Sequence, residues 1–192
     1  MKIKKYVKNQ YSSKIFDHVE LVKDLADKIV SDFERKCVDD MESLTLIEKT
    51  SIKYACYLHD IGKTINKNKH DKMGVNLFKQ YVWYDIKPDL KRDGFKKDER
   101  MIIRKNISCA IACHKKWKVS EQDIGSIYVS MVVYAADKMA HISKEFSWNS
   151  YWNASCKIHK RIQKIQKYYG RTYRFDLLCS CIIKALSHEC PF

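Results

Sequence analysis

The stretch Ser13-Lys14-Ile15-Phe16-Asp17-His18-Val19-Glu20-Leu21-Val22-Lys23-Asp24-Leu25-Ala26-Asp27-Lys28-Ile29-Val30-Ser31-Asp32-Phe33-Glu34-Arg35-Lys36 decides the fold class. Within it Ile15, Val19, Val22, Ala26, Ile29 and Phe33 recur at steps of three and four residues, which lays a single apolar stripe along a helix. The pattern predicts a helix from about Ser13 to Lys36. His18, one turn before Val22, falls on the stripe's side rather than away from it.

Working outward, the same spacing returns. Thr45 to Asp60 reads as a second helix with Ile52, Ala55, Cys56 and His59 along one face, stopped near Gly62. Thr64 to Lys69 reads as a polar loop, and His70 to Tyr84 as a third helix with Met73, Leu77 and Tyr81 facing inward. Asp85 to Lys97, which holds Pro88 and Gly94, is the most loop-like segment. Asp98 is placed to cap a fourth helix whose Ile103, Ile107, Ala110 and His114 share a face. Ser120 with Asp123 resembles a capping box for a fifth, about Glu121 to Phe146, lined by Ile124, Ile127, Met131 and Tyr134. Ser147 to Tyr151 is expected to turn the chain. Two late helices follow, about Trp152 to Tyr169, stopped at Gly170, and Phe175 to Ser187.

With 5 glycines and 2 prolines in 192 residues, few breakers are available, and no strict two-residue alternation appears. The expectation is an all-α fold, a single compact helical bundle. No repeat, linker or composition shift divides it, so residues 1–192 read as one domain with a core over about 13–146 and late helices, about 152–188, packed on it. The aromatic-rich tail (Trp148, Tyr151, Trp152, Tyr168, Tyr169, Tyr173, Phe175) is expected to pack those helices onto the bundle, with base stacking as the alternative use.

Composition narrows the function classes. No apolar run approaches the length needed to span a bilayer, so no membrane role is expected. The basic start, Met1-Lys2-Ile3-Lys4-Lys5-Tyr6, runs into polar residues and does not read as an export signal, which makes cytoplasmic the expected location. The 8 cysteines are then expected as thiols; the Cys109/Cys113 and Cys179/Cys181 spacings are not those of C-x-x-C pairs. A formal charge of +14 favours anionic partners: phosphorylated small molecules, nucleic acid or an acidic surface.

The histidines carry the chemistry. Of the 7 present, His18, His59, His70 and His114 fall at helix ends or on inward faces, each separated from the next by a predicted helix or loop. Facing helices of a bundle assemble a metal site in this way. Asp60 adjoins His59, and Asp137 interrupts the apolar run Val132-Val133-Tyr134-Ala135-Ala136, where a carboxylate needs a cation or another charged partner. Each residue alone also fits a helix surface, and Asp137 alone fits a pairing with Lys138 or His141. It is the ordered set His, His-Asp, His, His, Asp that points to a metal.

That order, His18, His59-Asp60, His70, His114, Asp137, resembles the HD-domain superfamily of metal-dependent phosphohydrolases. His59-Asp60-Ile61-Gly62-Lys63 is similar to its His-Asp-Ile-Gly-Lys variant, and His70-Asp71-Lys72-Met73-Gly74 to the His-x-x-x-Gly segment that follows. The likeness spans roughly Phe16 to Ile142. It implies a helical HD-domain core around one or two divalent metals, with His18, His59, Asp60 and Asp137 as ligands in the one-metal form. In the two-metal form Asp60 bridges, and His70 and His114 hold the second ion; two is the favoured number here. Mixed imidazole and carboxylate ligation suits Fe, Mn, Co, Ni or Zn.

The implied activity is hydrolysis of a phosphoester or phosphoanhydride by metal-activated water, with Asp60 and Lys63 as catalytic residues. Lys63 is the expected phosphate contact, or else a favourable charge at a helix end. Lys115, Lys116 and Lys138, beside ligands in sequence, are further substrate-binding candidates. The expected partner is a nucleotide-type small molecule. Chain length and the segment Ile127 to Ile142 look similar to the bacterial symmetric diadenosine tetraphosphatase branch, whereas the short loop between Asp60 and His70 departs from that branch toward the wider His-Asp-Ile-Gly group. Two alternatives from other classes stand beside it: a nuclease or phosphodiesterase on single-stranded or cyclic nucleotides, and a non-catalytic binding module with a metal.

Overall fold

The polar–apolar spacing of the chain folds, in the computed structural model, into helices packed as one compact all-α domain; residues 3–37, 43–115, 124–144 and 147–189 are described. The elements are α1 Ile3–Gln10, α2 Ser13–Lys36, α3 Leu46–Leu58, a 3-10 turn Ile61–Thr64, and α4 His70–Leu77, continued by a π-helical turn Phe78–Val82. Then come α5 Trp83–Arg92, α6 Lys97–Cys113, α7 Ile124–Lys144, α8 Trp148–Tyr169 and α9 Tyr173–His188. No helix among the described residues is long and apolar enough to cross a membrane.

Helix α2 keeps the limits its stripe predicts, and Val19, Val22, Ala26, Ile29 and Phe33 are all buried. Helix α3 begins where a cap is available. The Thr45 hydroxyl accepts from the Glu48 N–H (3.1 Å) and the Glu48 carboxylate accepts from the Thr45 N–H (2.8 Å), a reciprocal cap that satisfies two orphan donors. Helix α7 is the centre, packed against α2, α3, α6, α8 and α9. Its apolar residues are buried on every side, from Ile127 and Val129 to Met139 and Ile142, as a fully surrounded helix requires. A chain of buried polar groups ties it inward: the Ser126 hydroxyl donates to Asn106 Oδ1 (2.8 Å), and the Asn106 amide to Ser51 Oγ (3.3 Å).

Several boundaries differ from the sequence expectation. Helix α1 was not expected; Ile3 and Val7, one turn apart, bury it against the core. The Asp85–Lys97 segment is helical as far as Arg92, with Pro88 inside α5. A mid-helix proline costs about 3 kcal/mol, and full burial of Ile86 and Leu90, at roughly 2 kcal/mol each, offsets it. The π-helical turn adds a residue to the α4–α5 run, so the inward stripe slips from Tyr81, which is exposed, to Phe78 and Val82.

Helix α6 starts at Lys97, not after Asp98, because the Glu99 carboxylate takes the Lys96 N–H (2.6 Å). Ser147–Tyr151 is not a turn: Ser147 alone caps α8, its hydroxyl accepting from the Ser150 N–H. Helix α9 opens two residues earlier than Phe175, where the Thr172 hydroxyl accepts from the Phe175 N–H. The Ser120/Asp123 box and both predicted ends of the fifth helix lie outside the described residues. The aromatic tail packs only in part: Phe175 is buried and Tyr151 and Tyr169 lie partly buried against the core, whereas Trp148, Trp152, Tyr168 and Tyr173 are exposed.

A buried histidine and aspartate cluster as candidate metal centre

His59 follows the last turn of α3 and Asp60 precedes the 3-10 turn, so the two side chains leave a helix end rather than a helix wall. Gly62 is what allows the next ligand-type residue to reach them. A Cβ on Gly62 would lie 2.0 Å from the His70 carbonyl oxygen and 2.6 Å from the Gly74 nitrogen. The first turn of α4 therefore rests directly on the 3-10 turn, and His70 arrives beside Asp60. The expected role of Gly62 as a helix terminator is replaced by this close approach.

His18 comes from α2, His114 from the end of α6 and Asp137 from α7, and all six predicted residues converge in the core. Asp60 is 1% exposed and His59 fully buried. The two oxygens of Asp60 face different histidines. Oδ2 lies 3.7 Å from His18 Nε2 and 3.5 Å from His59 Nε2; Oδ1 lies 3.4 Å from His70 Nε2 and 3.7 Å from His114 Nε2. Asp137 closes the first side, its Oδ1 3.1 Å from His18 Nε2 and 3.6 Å from His59 Nε2. Two ligand-type groups result, His18/His59/Asp60 and Asp60/His70/His114, either of which could hold a metal ion.

The tautomers follow from the backbone. The Nδ1 atoms of His59, His70 and His114 lie 2.8, 2.6 and 2.6 Å from the carbonyl oxygens of Cys56, Lys67 and Ile111. A carbonyl only accepts, so each Nδ1 carries a hydrogen, and each ring, when neutral, presents its Nε2 lone pair to the cluster. His59 Nε2 is buried and, among the described residues, has no hydrogen-bond partner. His70 Nε2 and His114 Nε2 stand 2.8 Å apart. Two lone pairs at that separation repel unless a positive charge is shared between them.

The electrostatics of the cluster set two buried carboxylates against imidazoles and lysines. Burial alone would raise the Asp60 carboxyl, but the His59 charge and the Lys63 ammonium outweigh it and hold it down at about 2. Burial likewise opposes ionisation of Asp137, and the hydrogen bond from His18, the nearby His59 ring and the Lys138 charge bring it well below the usual carboxylate range. Burial pulls His59 toward neutrality, and the two carboxylates reverse this and raise it. Burial lowers His70, and burial with the His59 charge lowers His114 to about 3. The carboxylates thus draw positive charge inward, while the His70/His114 pair is neutral at pH 7.

The candidate substrate residues sit at the rim. The Lys63 ammonium pairs with Asp60 Oδ2 and the Lys138 ammonium with Asp137 Oδ2. Lys115 is exposed and donates to the Asn68 carbonyl (3.3 Å). Lys116 lies outside the described residues. His141, which the sequence offered only as a pairing partner of Asp137 one turn away, has its Nε2 3.6 Å from Asp137 Oδ1 and forms a further ligand-type group with His18 and Asp137 at the exposed edge. Comparison of the chain with known proteins finds no matching family, no similar curated protein and no similar solved structure.

Proposed function

We propose that this chain is a metal-dependent phosphohydrolase of the HD type, holding two divalent cations about Asp60 and cleaving a phosphoester or phosphoanhydride of a nucleotide-type small molecule, for example a dinucleoside polyphosphate. The observation that carries the reading is the division of Asp60: one carboxylate, two oxygens, and a pair of histidine Nε2 atoms turned toward each. His18, His59, Asp60 and Asp137 would hold one ion, and Asp60, His70 and His114 the other. Such a donor set, imidazole with carboxylate, fits Fe, Mn, Co, Ni or Zn. When bound, paired cations supply a lowered water pKa and neutralise phosphate oxygens as charge builds on them.

The remaining work belongs to the chain. The Nδ1 hydrogen bonds to Cys56, Lys67 and Ile111 hold three imidazoles in one orientation, so little reorganisation accompanies binding. Lys63 places an ammonium on Asp60 Oδ2, the oxygen that also faces His18 and His59, and Lys138 places one on the outer oxygen of Asp137. A substrate phosphate drawn to the centre would meet both, with Lys115 as a third contact from the far side of His114.

The test is metal analysis of the purified protein, followed by an activity screen with Mn, Fe, Co and Ni. The panel holds nucleotides, dinucleotides, cyclic dinucleotides and short oligonucleotides. Two equivalents of transition metal and phosphate release that His59→Ala abolishes are expected. A protein that takes up no transition metal, and whose properties Asp60→Ala leaves unchanged, would sink the reading. Turnover of oligonucleotides alone would move the substrate to a single strand, a second reading that the exposed aromatic and basic face of α8 favours.

A further inference from the structure

Six residues of α8 spaced four apart, Trp148, Trp152, Cys156, Lys160, Lys164 and Tyr168, make one unbroken row on the outside of the molecule, and every one of them is exposed. Rows at this spacing are the natural ridges of a helix. Each step rises about 6 Å, and the whole row extends about 30 Å. Lys157 and Lys167 flank its basic middle, also exposed. The other side of α8, with Ala154, Ile158, Ile162 and Ile165, is buried against the bundle. The core therefore does not account for the aromatic groups on the outer side, where Trp152 and Tyr168 are 61% and 62% exposed.

Charge on this segment has one sign. From Ser147 to Phe175 the chain carries 7 Lys or Arg residues and no Asp or Glu. We propose that the row is a docking track for single-stranded nucleic acid, in which Lys160, Lys164 and their flanking lysines take phosphates while Trp152 and Tyr168 stack bases. Cations bracketed at both ends by flat aromatic faces suit a strand whose bases are unpaired and free to stack. A duplex would hide those faces inside its own stack. An anionic lipid surface would call on the apolar side of a basic helix, and in α8 that side is already committed to the core. A lone nucleotide would occupy a fraction of the row.

Helix α8 also neighbours the His/Asp cluster. The Lys157 carbonyl accepts from the Tyr134 hydroxyl (3.4 Å), and the Tyr134 ring lies 5.1 Å from the Lys138 ammonium, which pairs with Asp137. The inference concerns binding alone and stands whatever bond the centre cleaves.

The experiment is fluorescence anisotropy of the full-length protein with labelled phosphorothioate DNA and RNA strands of about twelve nucleotides, which separates binding from turnover. Four phosphate contacts predict a loss of about 50-fold in affinity as salt rises from about 50 to about 200 mM. Lys160→Glu with Lys164→Glu is expected to weaken binding at least tenfold, on the order of two lost phosphate contacts, and to flatten the salt slope. Trp152→Ala is expected to cost about tenfold and Trp152→Phe to restore most of it. All these side chains are exposed, so unchanged circular dichroism is expected for each variant. No binding at low salt, or wild-type affinity in both the charge-reversed and Trp152→Ala proteins, overturns the proposal. So does capture by phosphatidylserine vesicles without strand binding, which would assign the face to lipid.

Discussion

Asp60 and Asp137 lie 1% and 4% exposed among the imidazoles of His18, His59, His70, His114 and His141, while Lys160 and Lys164 stand in open water on α8. Both regions concentrate one sign of charge, and they differ in what opposes it. In the core, water cannot screen a carboxylate, so each must find its counter-charge within a few ångströms. Histidine Nε2 atoms, Lys63 and Lys138 supply part of it, and a cation fits the remainder. On α8, solvent tolerates a row of ammonium groups without a partner inside the fold, so their counter-charge can come from another molecule. The buried region is consequently defined by geometry at the scale of single atoms. The outer one is defined by spacing along a helix.

Gly62 offers the most forceful way to break the buried side alone. In Gly62→Ala the new methyl would sit 2.0 Å from the His70 carbonyl oxygen, a backbone atom. The 3-10 turn and α4 must separate, and a loss of about 3 kcal/mol or more is expected in urea unfolding. His70 moves with α4, so metal affinity should fall at least tenfold, whereas strand binding on α8 should be untouched. Gly74→Ala is the contrast. Its Cβ meets the Ile111 side chain at 3.0 Å, and the helix-propensity gain of about 1 kcal/mol opposes that crowding, so the net change should stay within about 1 kcal/mol. Equal stability of the two variants would mean that the close approach at Gly62 is not what sets His70.

The two regions were unequally legible in the sequence. Helix α2 could be bounded to the residue because one stripe, Val19 to Phe33, fixes both its face and its length. The six residues converging on the cluster could be named for a different reason: each alone also fits a helix surface, but their order along the chain, His, His-Asp, His, His, Asp, has few uses besides a site. The π-helical turn could not be foreseen. Met73, Leu77 and Tyr81 keep perfect helical spacing, and only packing of Phe78 and Val82 shows the slip. His141 was legible as a partner of Asp137 but not as a ligand-type residue, because it is exposed, and exposure removes the conflict that draws attention to a polar residue. The aromatic residues of α8 were legible as a stacking alternative, but not as an exposed row. Tryptophan and tyrosine suggest a core by habit, and nothing in the spacing 148, 152, 168 says which side of the helix faces water until Ile158, Ile162 and Ile165 are placed.

Arg161 joins the two regions and sharpens where one ends. It lies on the buried side of α8, its guanidinium 3.3 Å from the centroid of the Tyr134 ring and its Nη1 donating to the Cys113 carbonyl (2.6 Å), one residue before His114. Burial lowers its pKa to about 10, still far above neutrality, so it is charged. Arg161→Met keeps much of the volume and removes the donor and the cation over the ring. The expected loss is about 2 kcal/mol in stability, with a metal affinity reduced about tenfold as the end of α6 loosens around His114. Stability lost with metal affinity intact would make Arg161 a packing residue only and would sever α8 from the centre.

Asp32 is the intermediate case and the smallest effect. It sits on α2, 9% exposed, and is held by Lys184 of α9 (3.0 Å), Lys36 (3.2 Å) and Arg35 (3.0 Å). Burial pushes its carboxyl up, but hydrogen bonds from Lys184 and Lys36 outweigh this and bring it down to about 2. A folded value below the unfolded one of about 3.9 means that the stabilisation is complete above about pH 4 and is lost as the pH falls through about 2. The partners are largely in water, so screening keeps the contribution under about 1 kcal/mol. Asp32→Asn should therefore be slightly less stable than wild type at pH 7, less distinct in high salt, and indistinguishable near pH 2, where the native carboxyl is itself half protonated. A deficit that persists undiminished at pH 2 would place the loss in packing. The salt response separates Asp32 from Asp60: a carboxylate whose counter-charge is exposed lysine answers to ionic strength, and one enclosed by histidines should answer to metal.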